Sequence, residues 1–223
     1  MNNRNRSLVG ILILLFWSAL TCASATEQQL RIACVGDSIT FGATIKDRKE
    51  QCYPAQLGRL LGEGYVVQNF GVSGATLLKA GNNPYWTTKQ FKPAHAFNPD
   101  IVVIKLGTND SKPDNWLHKD AFVSDYIALI ESFRSLPSKP VVYICKPVPA
   151  YPGNFKITDV VIREEVMPLI ETVAEQASVE KIDLYAALSH RADLFPDKVH
   201  PNAAGARIMA ETIAAIVAPS NVE

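Results

Sequence analysis

Four short polar segments carry the residue types from which nucleophilic chemistry is built: Gly36-Asp37-Ser38-Ile39-Thr40, Asn69-Phe70-Gly71-Val72-Ser73-Gly74, Gly107-Thr108-Asn109-Asp110 and Asp197-Lys198-Val199-His200-Pro201-Asn202. A serine hydroxyl is a weak nucleophile and needs an adjacent base to take its proton. Histidine suits that task, because imidazole accepts and returns a proton near neutrality. A carboxylate on the other ring nitrogen fixes the tautomer and stabilises the imidazolium. Asp197 lies three residues before His200, so one turn can bring the two side chains together. Such a set, completed by Ser38, performs acyl transfer. Taken singly, each segment is an ordinary turn, since glycine and serine are routine after strands.

The elements that must position these residues are legible as apolar runs. Strands are expected at Leu30–Val35, Tyr65–Phe70, Ile101–Leu106, Val141–Cys145 and Lys181–Leu184, and helices at Tyr53–Leu61, Phe122–Leu136, Val160–Ala177 and Ala203–Val217. In the second helix Phe122, Tyr126, Leu129, Ile130 and Phe133 form an apolar stripe of helical period. Pro168 is expected to kink or split the third. Strand–helix alternation implies a parallel sheet covered by helices on both faces, an α/β/α sandwich of flavodoxin-like type. Leu77–Pro99 shows no clear period, and Lys146–Phe155 is rich in loop formers. The polar segments fall at strand ends and before the last helix. Ligands in open α/β sheets bind beyond the carboxyl ends of the strands. Lys105 interrupts an apolar strand; buried, it would need a partner, and its head is expected to reach a sheet end or a polar gap.

With these four segments in this order, residues 30–217 resemble the SGNH hydrolases, also called GDSL-type esterases and lipases. Gly36-Asp37-Ser38 is the first family block, with Ile39 in place of the leucine of the family name. The resemblance implies that Ser38 is the nucleophile, His200 the base and Asp197 the residue that orients it. It further implies an oxyanion hole built from the Ser38 and Gly74 backbone N–H groups and the Asn109 side-chain amide. Asp37 is expected to organise the nucleophile turn, and Gly71 to serve the turn into Ser73-Gly74. No metal or organic cofactor is expected.

The loops suggest a substrate class. Tyr85, Trp86, Trp116 and Tyr151, with Asn82, Asn83, Asn115 and Asn154 nearby, combine aromatic faces with amides. That combination suits a sugar and favours removal of acetyl groups from an extracellular carbohydrate; the same tryptophans could equally anchor loops. The alternatives are a lysophospholipase or thioesterase acting on medium acyl chains, and a carbohydrate-binding domain without turnover. The chain has 223 residues, 22 basic and 22 acidic. Arg4 and Arg6 precede the apolar run Leu8–Leu20, and Ala23-Ser24-Ala25 follows with a small-x-small pattern. A signal peptide over residues 1–25 is therefore expected, leaving one domain over 26–223, exported to the periplasm or beyond, without a membrane anchor. Removing Arg4 and Arg6 leaves 20 basic against 22 acidic side chains, which gives no footprint for nucleic acid. Cys34 and Cys145 lie in strand-like runs and read as small hydrophobes, while a bridge through Cys52 stays open.

Overall fold

The five apolar runs assemble into one parallel sheet in the order β2-β1-β3-β4-β5. In this computed structural model, residues 29–153 and 155–218 are described; the expected signal peptide and Asn154 lie outside them. The strands are β1 (Leu30–Gly36), β2 (Tyr65–Gly71), β3 (Ile101–Lys105), β4 (Val141–Lys146) and β5 (Glu180–Asp183). Side chains alternate across the sheet. Ala33, Val35, Val102, Ile104, Val142 and Ile144 face one core, closed by the helices Phe122–Arg134 and Met167–Ala177. Ile32, Cys34, Ile101, Val103, Cys145 and Ile182 face the other, closed by the helices Tyr53–Leu61 and Ala203–Val217. A sheet buried on both faces explains why its inner strands read as continuous apolar runs. Among the described residues, no helix is long and apolar enough to cross a membrane.

Departures from the expected elements have local causes. Leu184 opens a short helix, Leu184–Leu188, instead of ending β5, because the Asp183 carboxylate accepts the Ala186 N–H and caps it. Pro168 does not split its helix in two, but the turn before it is irregular. Three α-helical residues, Asp159–Val161, run into a widened π-helical turn, Ile162–Val166, and then into Met167–Ala177. The widened turn absorbs the missing proline N–H and the crowding of its ring. Within Leu77–Pro99 a helix of six residues forms at Phe91–Ala96, too short and too interrupted by Pro93 to show a period. Cys34, Cys52 and Cys145 are all buried free thiols, so Cys52 makes no bridge. Burial pushes the Cys145 thiol up to about 12, which keeps it unreactive.

The connectivity places the polar segments. β1 sits between β2 and β3, so the chain leaves it first to one side and later returns on the other. That reversal opens a crevice at the carboxyl end of β1. Gly36 is in register with Gly71 on one side and with Lys105 on the other, so the first three polar segments leave the sheet edge together.

Candidate active site

Ser38 is the first residue of a one-turn helix, Ser38–Phe41, whose N-cap Asp37 accepts the Ile39 N–H at 2.9 Å. The first N–H groups of a helix have no acceptor within it, so the Ser38 N–H points out of the turn. Two glycines let this turn sit deep in the sheet edge. A Cβ on Gly71 would lie 2.2 Å from the Phe41 nitrogen, and one on Gly36 would lie 2.6 Å from the Lys105 carbonyl oxygen. Gly71 thus serves the packing of the Ser38 helix against β2. The glycine is structural, as expected, and it is required by the close approach of the Phe41 backbone rather than by the turn into Ser73-Gly74.

Lys105 is fully buried, and its ammonium lies on Asp37, also fully buried, at 2.9 and 3.2 Å, and on the Thr108 hydroxyl at 2.6 Å. The head does reach the sheet end, and there it is an ion pair beneath the turn that carries Ser38. Asp37 therefore bonds two elements at once, capping the helix that carries Ser38 and holding the lysine of β3.

His200 comes from a loop 162 residues away, and its Nε2 lies 2.8 Å from Ser38 Oγ. Its Nδ1 lies 2.6 Å from Asp197 Oδ2. The other carboxylate oxygen accepts the Val199 and His200 N–H groups at 3.0 and 2.8 Å, closing a tight turn in which Lys198 takes φ 73°. Burial resists ionisation of Asp197, but these N–H groups and the imidazole outweigh it and hold the carboxyl below its ordinary value. An ionised carboxylate only accepts, so Nδ1 carries the ring proton and Nε2 is left to accept from the Ser38 hydroxyl. A depressed carboxyl stabilises the fold above its unfolded value of about 3.9, and that contribution is lost as pH falls through the folded value. Asp197→Asn is therefore expected to unfold more readily at neutral pH and to lose less stability below about pH 4 than the parent; urea titration across pH checks both.

Gly74 has φ +80° while a Cβ there would meet nothing closer than 3.5 Å, so the backbone conformation, not space, calls for glycine. Asn109 Nδ2 donates to the Ala75 carbonyl at 3.0 Å and has a second hydrogen to offer. Asp110 ties the two loops together, accepting the Leu77 and Leu78 N–H groups at 3.0 and 2.8 Å, while burial pushes its carboxyl up to about 6. Losing a donor to a developing oxyanion costs on the order of 10²–10³ in turnover. Asn109→Ala is expected to lose that much kcat while its melting curve stays close to the parent's.

Ser38, Gly74, Asn109 and His200 line one pocket of about 190 Å³, with Ala43, Ser73, Lys112, Phe155 and Ile157. Phe155 is half-exposed and sets its ring edge-on to the His200 imidazole, centroids 5.5 Å apart. Lys112, Phe155 and Ile157 carry no local signal in the sequence, since their approach depends on the paths of two loops. Among the described residues, no group of three or more His, Cys, Asp and Glu side chains is arranged to hold a metal ion.

The aromatic residues expected at the substrate do not line this pocket. Tyr85 is fully buried in the core with its hydroxyl on the Phe70 carbonyl. Trp86 donates to the Leu77 carbonyl, packs on Phe91 and lies under Lys79. The Tyr151 hydroxyl is held by the Leu188 and Ser189 carbonyls. Trp116, nearly buried, donates to Glu165 and lines a separate cleft with Leu117 and Thr158. Asn82 and Asn115 lace the two loops together, the Asn115 side-chain Oδ1 accepting the Asn82 backbone N–H. Each buried ring carries a polar handle that has found a backbone or carboxylate partner, as loop anchors do.

Known proteins resemble this chain to different depths. An acetylxylan esterase of Xylanibacter ruminicola is 42% identical over 209 residues, 86% of this chain; the chain spans 44% of that relative's length. A carbohydrate acetylesterase from Sinorhizobium meliloti superposes with a TM-score of 0.66 at 20% identity, covering 86% of this chain and 99% of the other. The native aryl esterase of M. smegmatis gives 0.68 at 20% identity, covering 84% and 98%. These two likenesses establish the fold. A model of the GDSL-like lipase/acylhydrolase family matches residues 34–208, and with the five-stranded sheet and the polar strand ends in place, the chain belongs to that family.

Proposed function

We propose that the chain is a carboxylic ester hydrolase that removes acetyl groups from a carbohydrate, with Ser38 as nucleophile, His200 as base and Asp197 as the orienting carboxylate. The observation that carries the reading is the unbroken line from Ser38 Oγ through both nitrogens of His200 to Asp197, opening on a pocket of about 190 Å³. Pockets that bury drug-sized ligands run from roughly 300 to 1,000 Å³, so this one suits a short acyl group. The 42% identity to an acetylxylan esterase supports acetyl and sugar as the two halves of the ester.

In this mechanism Ser38 Oγ attacks the ester carbonyl carbon as its proton passes to His200 Nε2. The tetrahedral oxyanion is met by the Ser38 and Gly74 N–H groups and by the free hydrogen of Asn109 Nδ2. The C–O bond to the sugar breaks, and the sugar oxygen takes the proton from His200. Water then attacks the acetyl-Ser38 carbonyl with His200 again as base. Acetate leaves, and the proton returns to Ser38 Oγ. Asp197 stays ionised throughout and stabilises the imidazolium. The basic n-region, apolar run and Ala23-Ser24-Ala25 of the N-terminal residues support export, which would bring the enzyme to an extracellular glycan.

The pocket makes a direct prediction. Along a p-nitrophenyl ester series kcat/KM is expected to be highest for acetate and to fall at least tenfold by octanoate, each tenfold step being about 1.4 kcal/mol of lost transition-state binding. Higher rates on octanoate, or on a lysophospholipid, would move the chain to acyl-chain hydrolysis.

A further inference from the structure

Lys112 lines the Ser38 pocket, and the proposed acetyl chemistry gives it no task. It precedes Pro113, which holds its backbone extended at φ −63° and ψ 138°. Its N–H donates to the Asn109 carbonyl at 3.3 Å, and its carbonyl accepts the Asn115 and Trp116 N–H groups at 3.0 and 2.9 Å. The loop that supplies Asn109 thus fixes the Lys112 backbone and leaves its side chain beside the oxyanion donors. Among the described residues, the ammonium makes no hydrogen bond and no ion pair.

The acids within its electrostatic reach are committed elsewhere. Asp37 holds Lys105, Asp110 accepts the Leu77 and Leu78 N–H groups, and both are fully buried. Asp197 lies on the far nitrogen of His200. Burial pulls Lys112 below its ordinary value, against the opposing pull of Asp37 and Asp110. This cation has given up hydration without gaining a counter-ion.

The pocket has room for more than an acetyl group. A water takes up about 30 Å³ in the liquid, so the three heavy atoms of an acetyl fill no more than about half of its 190 Å³ or so. Lys112 brings a permanent charge to walls that Ala43, Phe155 and Ile157 otherwise make apolar. A carboxylate at the far end of an acyl group gains a charge-assisted hydrogen bond there, strengthened by the apolar surroundings. A neutral chain of the same size strips water from the ammonium and gives nothing back.

We propose that the chain has a second activity, on half-esters of short dicarboxylic acids such as succinate, whose free carboxylate pairs with the Lys112 ammonium while the ester carbonyl lies at Ser38. The proposal rests on the Ser38 acyl-transfer reading and adds an acyl class to it. Ser38 Oγ bonds to the carbonyl carbon, the alcohol leaves with the proton from His200, and water then releases the dicarboxylate. The free carboxylate takes no part in these bond changes.

The test is kcat/KM for monoethyl succinate against ethyl 4-methylpentanoate, its neutral isostere, at neutral pH, with ethyl acetate as the reference for acetyl hydrolysis. In the parent the half-ester should lead the isostere by at least about tenfold, the scale of one hydrogen bond to a charged group. Lys112→Met should bring that ratio to about one, Lys112→Glu should invert it, and Lys112→Arg should keep most of it. A general loss of activity in a variant cancels in the ratio. A parent ratio of one or less, or a Lys112→Met variant that keeps the parent's ratio, would overturn the second activity, while cleavage of ethyl acetate would leave the acetylesterase reading standing. A parent that cleaves none of the three esters would overturn both.

Discussion

Ser38→Ala should reduce kcat on the order of 10⁶-fold, the scale seen when the nucleophile of a serine–histidine–aspartate unit is removed, with the fold intact. The oxygen removed makes one hydrogen bond, to His200 Nε2, at a pocket wall, and it supports no packing. Its loss leaves no buried charge, and the freed imidazole nitrogen faces the pocket. Neither the Asp37 cap nor the Asp197 turn depends on the Ser38 hydroxyl. Unfolding by urea should therefore move by no more than about 1 kcal/mol, the worth of an ordinary hydrogen bond. A variant with a tenth of the parent's turnover would mean that another group attacks the carbonyl.

Lys105→Met should produce the opposite pattern, a large loss of stability through a residue far from solvent. Methionine fills similar space but leaves the Asp37 carboxylate buried without its cation. Breaking a buried pair from one side costs about 3–5 kcal/mol, a large fraction of the 5–15 kcal/mol by which domains are stable. The same carboxylate caps the helix that begins at Ser38, so folded variant should also lose turnover as the cap is drawn away from the Ile39 N–H. Adding Asp37→Asn removes the stranded charge and keeps a capping oxygen. The double variant should recover most of the stability, which double-mutant analysis by urea unfolding reads directly. A single Lys105→Met variant as stable as the parent would show that the pair does not hold the turn.

This lysine shows where sequence reasoning reached and where it stopped. An interruption of the β3 apolar run is visible, and so is the need for a partner. The partner lies 68 residues away and becomes identifiable only once β1 and β3 are known to be neighbours with Gly36 opposite Lys105. The strands and long helices were legible because burial on both sheet faces imposes short apolar runs, and helix packing imposes a stripe. Asp197 and His200 were legible as a local pair, three residues apart. Their meeting with Ser38 follows from the packing of the last helix on Tyr53–Leu61, where Gln56 donates to the Ala203 carbonyl, which carries the loop before that helix back from the β5 edge to the end of β1.

Which side chains line the Ser38 pocket beside the polar segments was not legible, for a physical reason. Tyr85 and Trp86 have the composition of a sugar platform, yet that composition is shared with loop anchors whose hydroxyl or indole N–H must be satisfied inside. Only the path of the chain separates the two uses. Phe155 and Ile157, which do reach the pocket, sit in a segment whose backbone includes left-handed residues at Phe155 and Lys156. No periodicity predicts such a path.

The most direct test of the account is acetate release from an acetylated xylo-oligosaccharide by the parent protein and by Ser38→Ala at equal concentration. The account predicts steady release by the parent and only background release by the variant. No acetate from the parent, with hydrolysis of octanoate esters or a lysophospholipid instead, would contradict it, as would equal release by the two proteins.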